Sequence, residues 1–377
     1  MLMGSTANDF VDRIDHALDD ASKQGINITA SAGTANLEFQ QLLRRVLEEQ
    51  EPPTGRPRHL ETPPGSRDPG SPDGFSRLCY FLDGVQSSRE VGRIGAAPVV
   101  VATVAATIVN RCDRRFSRMP LQSSPAVVRA MILPRRMGDP KVAAFWDLLM
   151  KAGLAELGSE EDFTSTDLVL DSTEYTSAVD PADYVGMRER ALGRVRTLRE
   201  RLEGELLRRW EGDDRVLDSE DWIALDGQLR ETTQRAIGLI KSVARPEFVG
   251  EDVEVLLDLE PGMRTTSFVP DWQSRRDPSE QRASWYMRIW PQQQGADSLG
   301  SLMRVEAPRD TSPEEIDEIT RWILAERAPL AKPDPRWPAM IYPIYYVEKI
   351  LKPLVQGSER AYLRLERQLA APANGRS

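Results

Sequence analysis

Two short apolar runs, each ending in Asp-Gly, constrain this chain more than any other feature: Leu78-Cys79-Tyr80-Phe81-Leu82-Asp83-Gly84 and Trp222-Ile223-Ala224-Leu225-Asp226-Gly227. Each is apolar and aromatic enough to read as a buried strand, and Asp-Gly reads as the turn that stops it. A carboxylate at such a strand end is held rigidly at a mouth that solvent or substrate can enter. Between the runs, Leu192, Val195, Leu198, Leu202 and Leu206 fall on one stripe, which predicts a long helix from about Pro181 to Trp210 carrying several glutamates. Two strand carboxylates and a helical glutamate make an all-oxygen donor set suited to divalent cations and to phosphodiester cleavage.

The remaining chemistry is restricted. Only two histidines occur, His16 and His59, one in a predicted helix and one in a Pro-rich stretch, so histidine catalysis is not expected. Two cysteines, Cys79 and Cys112, make neither a disulfide framework nor a zinc site, and a reducing cytoplasm is the expected compartment. The longest apolar stretch, Ala96 to Val109, is too short to span a bilayer. The N-terminus, with Asp9, Asp12 and Asp15, has no signal-peptide character. No Gly-rich Lys-Ser/Thr phosphate loop occurs, which excludes a motor ATPase. A net charge of −10 argues against a general nucleic-acid coat. Yet Arg111, Arg114, Arg115, Arg118, Arg129, Arg135 and Arg136 lie within one segment against a single acid, Asp113. That segment is either a solvated loop or a set of phosphate contacts.

Further elements follow from periodicity. Helices are expected over Phe10–Ala21, Leu37–Leu47, Lys141–Leu154, after Ser312-Pro313-Glu314-Glu315, and over Tyr345–Val355. Strands are expected at Leu78–Leu82, Val91–Ile94, Pro98–Val104, Leu168–Leu170, Ile237–Ile240, Trp285–Trp290 and Leu302–Val305. Residues 51–74 hold seven prolines and four glycines and read as a linker or mobile insertion. The fold class is therefore α/β, a ribonuclease-H-like mixed-sheet core with flanking helices. Neighbouring strand ends in such a core bring two carboxylates so close that cations between them are needed to keep both ionised.

At this level the chain resembles a known family. Leu82-Asp83-Gly84-Val85-Gln86-Ser87, the Arg- and Glu-bearing helix, Leu225-Asp226-Gly227-Gln228-Leu229, Ile237-Gly238-Leu239-Ile240-Lys241, Ser284-Trp285-Tyr286-Met287-Arg288 and the Tyr342-Pro343 segment are similar, in that order, to the NurA nucleases. The resemblance covers roughly residues 75–356. It implies a manganese- or magnesium-dependent DNA nuclease, two ions at the site, a homodimer, and a hexameric HerA-type ATPase as partner in DNA end processing. It matches Asp83 and Asp226 to the strand ligands, Lys241 to a lysine near the phosphate, and Tyr286 to a tyrosine-bearing strand. The helical ligand is placed at Glu203, with Glu200 and Glu205 as rivals. The family's C-terminal histidine has no counterpart here, and Glu348 or Lys349 stands in its place.

The expected organisation is then an N-terminal helical segment (1–50), the linker (51–74), the nuclease domain (75–356) and a C-terminal tail (357–377). Each site residue has a plainer reading beside the functional one. Asp83 and Asp226 are also good turn residues, Glu203 and Lys241 good surface charges, and Tyr286 a good packing residue, while Asp171, a third strand-end acid, is a decoy that could be a ligand. Arg114, Arg115, Arg135, Arg136 and Tyr286 are the expected DNA contacts. The helix around Phe10, Ile14 and Leu18 either docks the ATPase or packs on its own core. A catalytically silent scaffold that clamps DNA or an ATPase ring is the alternative function.

Overall fold

The computed structural model describes residues 6–31, 55–72, 76–112, 115–118, 126–157, 163, 165–174, 180–230, 233–241, 243, 246–250, 252–292, 299–330 and 337–370. The expected helix over Leu37–Leu47 and Arg114 lie outside them. The elements used below are α1 (Ala7–Lys23), β1 (Leu78–Ile94), β2 (Ala97–Cys112), β3 (Ala126–Leu133), α2 (Pro140–Lys151), β4 (Asp167–Asp171), α3 (Tyr184–Glu211), β5 (Trp222–Asp226), β6 (Ala236–Ile240), β7 (Arg282–Arg288), β8 (Leu302–Pro308), α4 (Pro313–Ala325) and α5 (Tyr342–Ala370).

One mixed sheet runs through the molecule in the order β7-β8-β6-β5-β1-β2-β3-β4, with shorter strands at its margins. β1, β2 and β3 form an antiparallel meander, while β5 and β6 run parallel to β1 on its other side. Three antiparallel strands followed by two parallel to the first is the ribonuclease-H-like order that the sequence led one to expect, here in a mixed α/β fold with helices on both faces. Leu198, Leu202 and Leu206 of α3 pack on the face that carries Leu82 and Leu225. Val347 and Leu351 of α5, with Ile319 and Trp322 of α4, cover the other face over Phe81, Ala224 and Leu239. Among the described residues no helix is long and apolar enough to cross a membrane.

Several expectations are corrected. The strands expected at Leu78–Leu82 and Val91–Ile94 are one strand, because pairing with β2 continues unbroken through Asp83↔Thr107, Gly84↔Ala106 and Val85↔Ala105. Asp83-Gly84 is therefore not a turn. The helix expected to end at Val355 continues to Ala370, with Tyr362 and Leu365 buried, so residues 357–370 are packed core and not a tail. Phe10, Ile14 and Leu18 of α1 are buried against α2 and α5, which leaves that apolar face unavailable for docking an ATPase.

The described part of the Pro-rich stretch is built into the sheet. Arg58–His59 pairs with Phe268–Val269, and Ser66–Arg67 pairs with Arg264–Thr265. Glu61 lies between them and holds the fully buried Arg264 through two hydrogen bonds of 2.7 and 3.0 Å. Prolines are tolerated at sheet edges, where no ladder partner is lost. Composition alone misread this segment as a linker.

Candidate active site

The register sets the site. Leu225 opposes Leu82 on parallel strands, which places Asp226 level with Asp83, one strand spacing apart. Asp226 in turn opposes Leu239 of β6, and Lys241 follows two residues later. Because side chains alternate along a strand, Asp83, Asp226 and Lys241 share one face, the face covered by α5. Asp226-Gly227 is a true strand end: Gly227 has φ +110°, a conformation that suits glycine and strains other residues.

Asp83 is 4% exposed, and its carboxyl is raised well above the ordinary carboxylate range. Burial is the main cause, with further pushes from Asp226, Glu203 and Glu348 and an opposing pull from Lys241. Lys241 Nζ donates to Asp226 Oδ2 at 2.7 Å and is itself largely buried. Glu348 presents its carboxylate from α5, where it also pairs with Lys352 at 2.9 Å, whereas Lys349 is exposed. Of the two residues standing in for the family's histidine, Glu348 is the one at the cluster.

Glu203 arrives from the opposite face. It stands on α3 above Gly84, and a Cβ at position 84 would collide with its Oε1 and lie 3.0 Å from its Cδ and 3.1 Å from Arg199 Cγ. Gly84 is thus a close-approach residue that lets the helix carboxylate reach the sheet. Beyond Leu82, β1 has no partner on the β5 side until Gly92 and Arg93 meet Ala30 and Thr29, among the described residues. This leaves a notch past the end of β5 through which the two faces communicate. A cleft of about 80 Å³ at the notch is lined by Leu82, Arg199, Glu203, Leu225, Asp226 and Arg230. Burial pushes the Glu203 carboxyl up to about 7, Asp226 adds to this, and the ion pair with Arg199 opposes it. A larger cavity of about 520 Å³, lined by Trp222, Arg235, Arg282 and Pro308, contains none of these residues.

The rival glutamates are held by other arginines, although Glu200 also lines the cleft. Glu200 binds Arg230, with Arg230 Nη2 donating at 2.6 Å, and Glu205 is taken by Arg208 and Arg209 at 2.7 Å each. Asp171 caps its own neighbourhood, accepting from the Thr173 hydroxyl and backbone N–H and from Arg135 N–H. Tyr286 is fully buried between Phe248 and Phe268, its hydroxyl accepting from Glu247 N–H, so it cannot meet DNA.

The basic segment also disperses. Arg111 pairs with Glu326 at 2.5 Å, Arg129 with Asp167, Arg135 with Glu156 and Arg136 with Asp171. Arg135 and Arg136 follow the far end of β3. Ala126 lies level with Gly84 and Leu133 seven residues beyond, roughly 23 Å along the strand. They do not belong to the carboxylate cluster. Arg115 is exposed on a short strand beside β2. The arginines that do line the cleft, Arg199 and Arg230, gave no signal in the sequence, because their placement depends on how α3 crosses β1 and β5.

Gly84→Ala tests the close approach. The colliding atoms are the flexible end of Glu203, so the fold should hold within about 1 kcal/mol while Glu203 is pushed away. Any cleavage that uses Glu203 should fall roughly ten- to a hundredfold. Melting curves and kcat/KM measured together check this; unchanged turnover contradicts it.

No family model matches this chain, and no curated protein matches it. The fold is similar to a solved NurA nuclease. The match, to the crystal structure of the NurA nuclease from Sulfolobus solfataricus, covers 81% of this chain and 87% of that one at 10% identity, with a TM-score of 0.44. At that identity the chemistry has to come from the side chains themselves.

Proposed function

We propose that this protein is a divalent-metal-dependent deoxyribonuclease that hydrolyses phosphodiester bonds. The observation that carries the reading is the gathering of Asp83, Asp226, Glu203 and Glu348 around a notch, with Lys241, Arg199 and Lys352 paired to three of them. Such crowding of like charge is costly unless further cations enter.

The donor set fits Mn²⁺ or Mg²⁺, being entirely hard oxygen, and two ions are the expected number. Asp83, Glu203 and Asp226 would hold them, with Glu348 as a fourth carboxylate. Among the described residues no three potential ligands are spaced to share one ion as placed. As placed, Glu203 is paired with Arg199 and Asp226 with Lys241. A bound ion would supply Lewis acidity to the scissile phosphate. Lys241 sits where it can neutralise a phosphate oxygen once released from Asp226.

A catalytically silent scaffold on the same fold is the second reading, and those closed ion pairs favour it. DNA is the proposed substrate, with a homodimer and a hexameric HerA-type ATPase as proposed partners. Only the sequence resemblance supports those partners. Incubating purified protein with DNA in Mn²⁺, Mg²⁺ or chelator decides between the readings: cleavage that requires the ion supports the nuclease, and none with either ion supports the scaffold.

A further inference from the structure

The cleft beside the carboxylates contains arginines with no part in holding a metal. Arg199 pairs through Nη1 with Glu203 and donates Nε to Gln86 Oε1 at 3.2 Å. Arg230, on the loop after Gly227, binds Glu200 from the other side of the same cleft. Burial, together with the like charges of Arg199 and Arg196, holds the Arg230 guanidinium below its ordinary range. Arg199 and Arg230 keep 22% and 50% of their side chains exposed, so neither is sealed into the core. Guanidiniums crowded at the mouth of a small polar cleft are relieved by an anion, and the planar fork suits a phosphate.

We propose that Arg199 is a positioning latch: it occupies Glu203 in the resting protein and transfers its guanidinium to a backbone phosphate of bound nucleic acid when Glu203 is freed from it. The substrate class rests on the nuclease reading above. The geometry of the exchange is local. Arg199 and Glu203 are four residues apart on one helix, so they share a face and a side-chain rotation separates them. Gln86, two residues past Gly84 on β1, steadies the guanidinium at the notch. Arg230 faces it across the cleft, so a phosphate at the mouth meets both. In the resting protein the Glu203 carboxylate is engaged by Arg199, and among the described residues no three potential ligands are spaced to share one ion.

The test needs neither metal nor cleavage. Binding of a fluorescein-labelled single-stranded oligonucleotide is measured by anisotropy in chelator. Glu203→Gln should strengthen binding about fivefold by freeing Arg199. In an Arg199→Gln background the same change should give no gain, and the salt slope should fall by roughly one phosphate contact. If Arg199→Gln fails to fold, Arg199→Lys carries the test, because it keeps the charge and loses the fork; its gain must be smaller than that seen with arginine. An equal gain with and without Arg199, no gain from Glu203→Gln, or no binding by any variant overturns the latch. The two claims separate cleanly. Mn²⁺-dependent cleavage with no coupling in the cycle removes the latch and leaves the nuclease, while coupling without cleavage under any cation does the reverse.

Discussion

Asp83→Asn and Asp226→Asn are each expected to abolish Mn²⁺-dependent DNA cleavage, lowering the rate by roughly three orders of magnitude or more. On the proposed reading, each removes one anionic ligand from a site whose geometry depends on both strands. The fold should survive, since asparagine is isosteric. In Asp83→Asn it should gain stability at neutral pH without metal, because burial beside Asp226 disfavours the ionised form of Asp83 in the folded state and so opposes folding. Wild-type turnover in either variant would remove the carboxylate site from the chemistry, and unfolding of both would make them structural residues.

The same electrostatics sets a pH dependence. Asp83 and Glu203 are both raised in the folded state, so their stabilising contribution is full below the unfolded pKa and lost as pH rises through the folded one. For Glu203 that window runs from 4.5 to about 7. Glu203→Gln removes this titration. The stability of wild type relative to that variant, measured in chelator, should therefore fall by on the order of 3 kcal/mol between about pH 4 and pH 8. A difference that stays flat or rises with pH contradicts the burial of Glu203.

Glu61→Ala should be the most destabilising change outside the site, by about 3–5 kcal/mol. Arg264 is completely buried, and its partners are Glu61, Asp317 Oδ1 at 2.5 Å and backbone carbonyls. Removing Glu61 takes away its bidentate acceptor and also leaves Ser267 N–H, which donates to Glu61 at 2.6 Å, unsatisfied. Burial alone would raise the Glu61 carboxyl, yet Arg264 and Ser267 hold it below its ordinary value. Denaturant melts check the effect. A change within about 0.5 kcal/mol would return residues 55–72 to the status of an appendage.

These outcomes show what could be read from the chain. The short runs before Asp83 and Asp226 are apolar and aromatic enough to be legible as buried strands. Asp83-Gly84 misled because its local turn preference is overridden by continuous pairing to β2. The glycine there serves the approach of α3, a contact about 120 residues away in sequence. Glu203 was legible because it adjoins the Leu202 and Leu206 stripe. The arginines of 111–136 are neighbours in sequence only. Of the described ones, Arg111, Arg129, Arg135 and Arg136 each pair with an acid from another segment. Residues 51–74 hid their edge strands behind prolines that an edge accepts.

The central claim is that the carboxylates at the notch form a divalent-cation site. Titration calorimetry of Mn²⁺ into the wild-type protein, Asp83→Asn and Asp226→Asn tests it without DNA. Saturable binding in the wild type that is lost or greatly weakened in both variants is the expected result. No binding to the wild type, or equal binding to all three proteins, would contradict it.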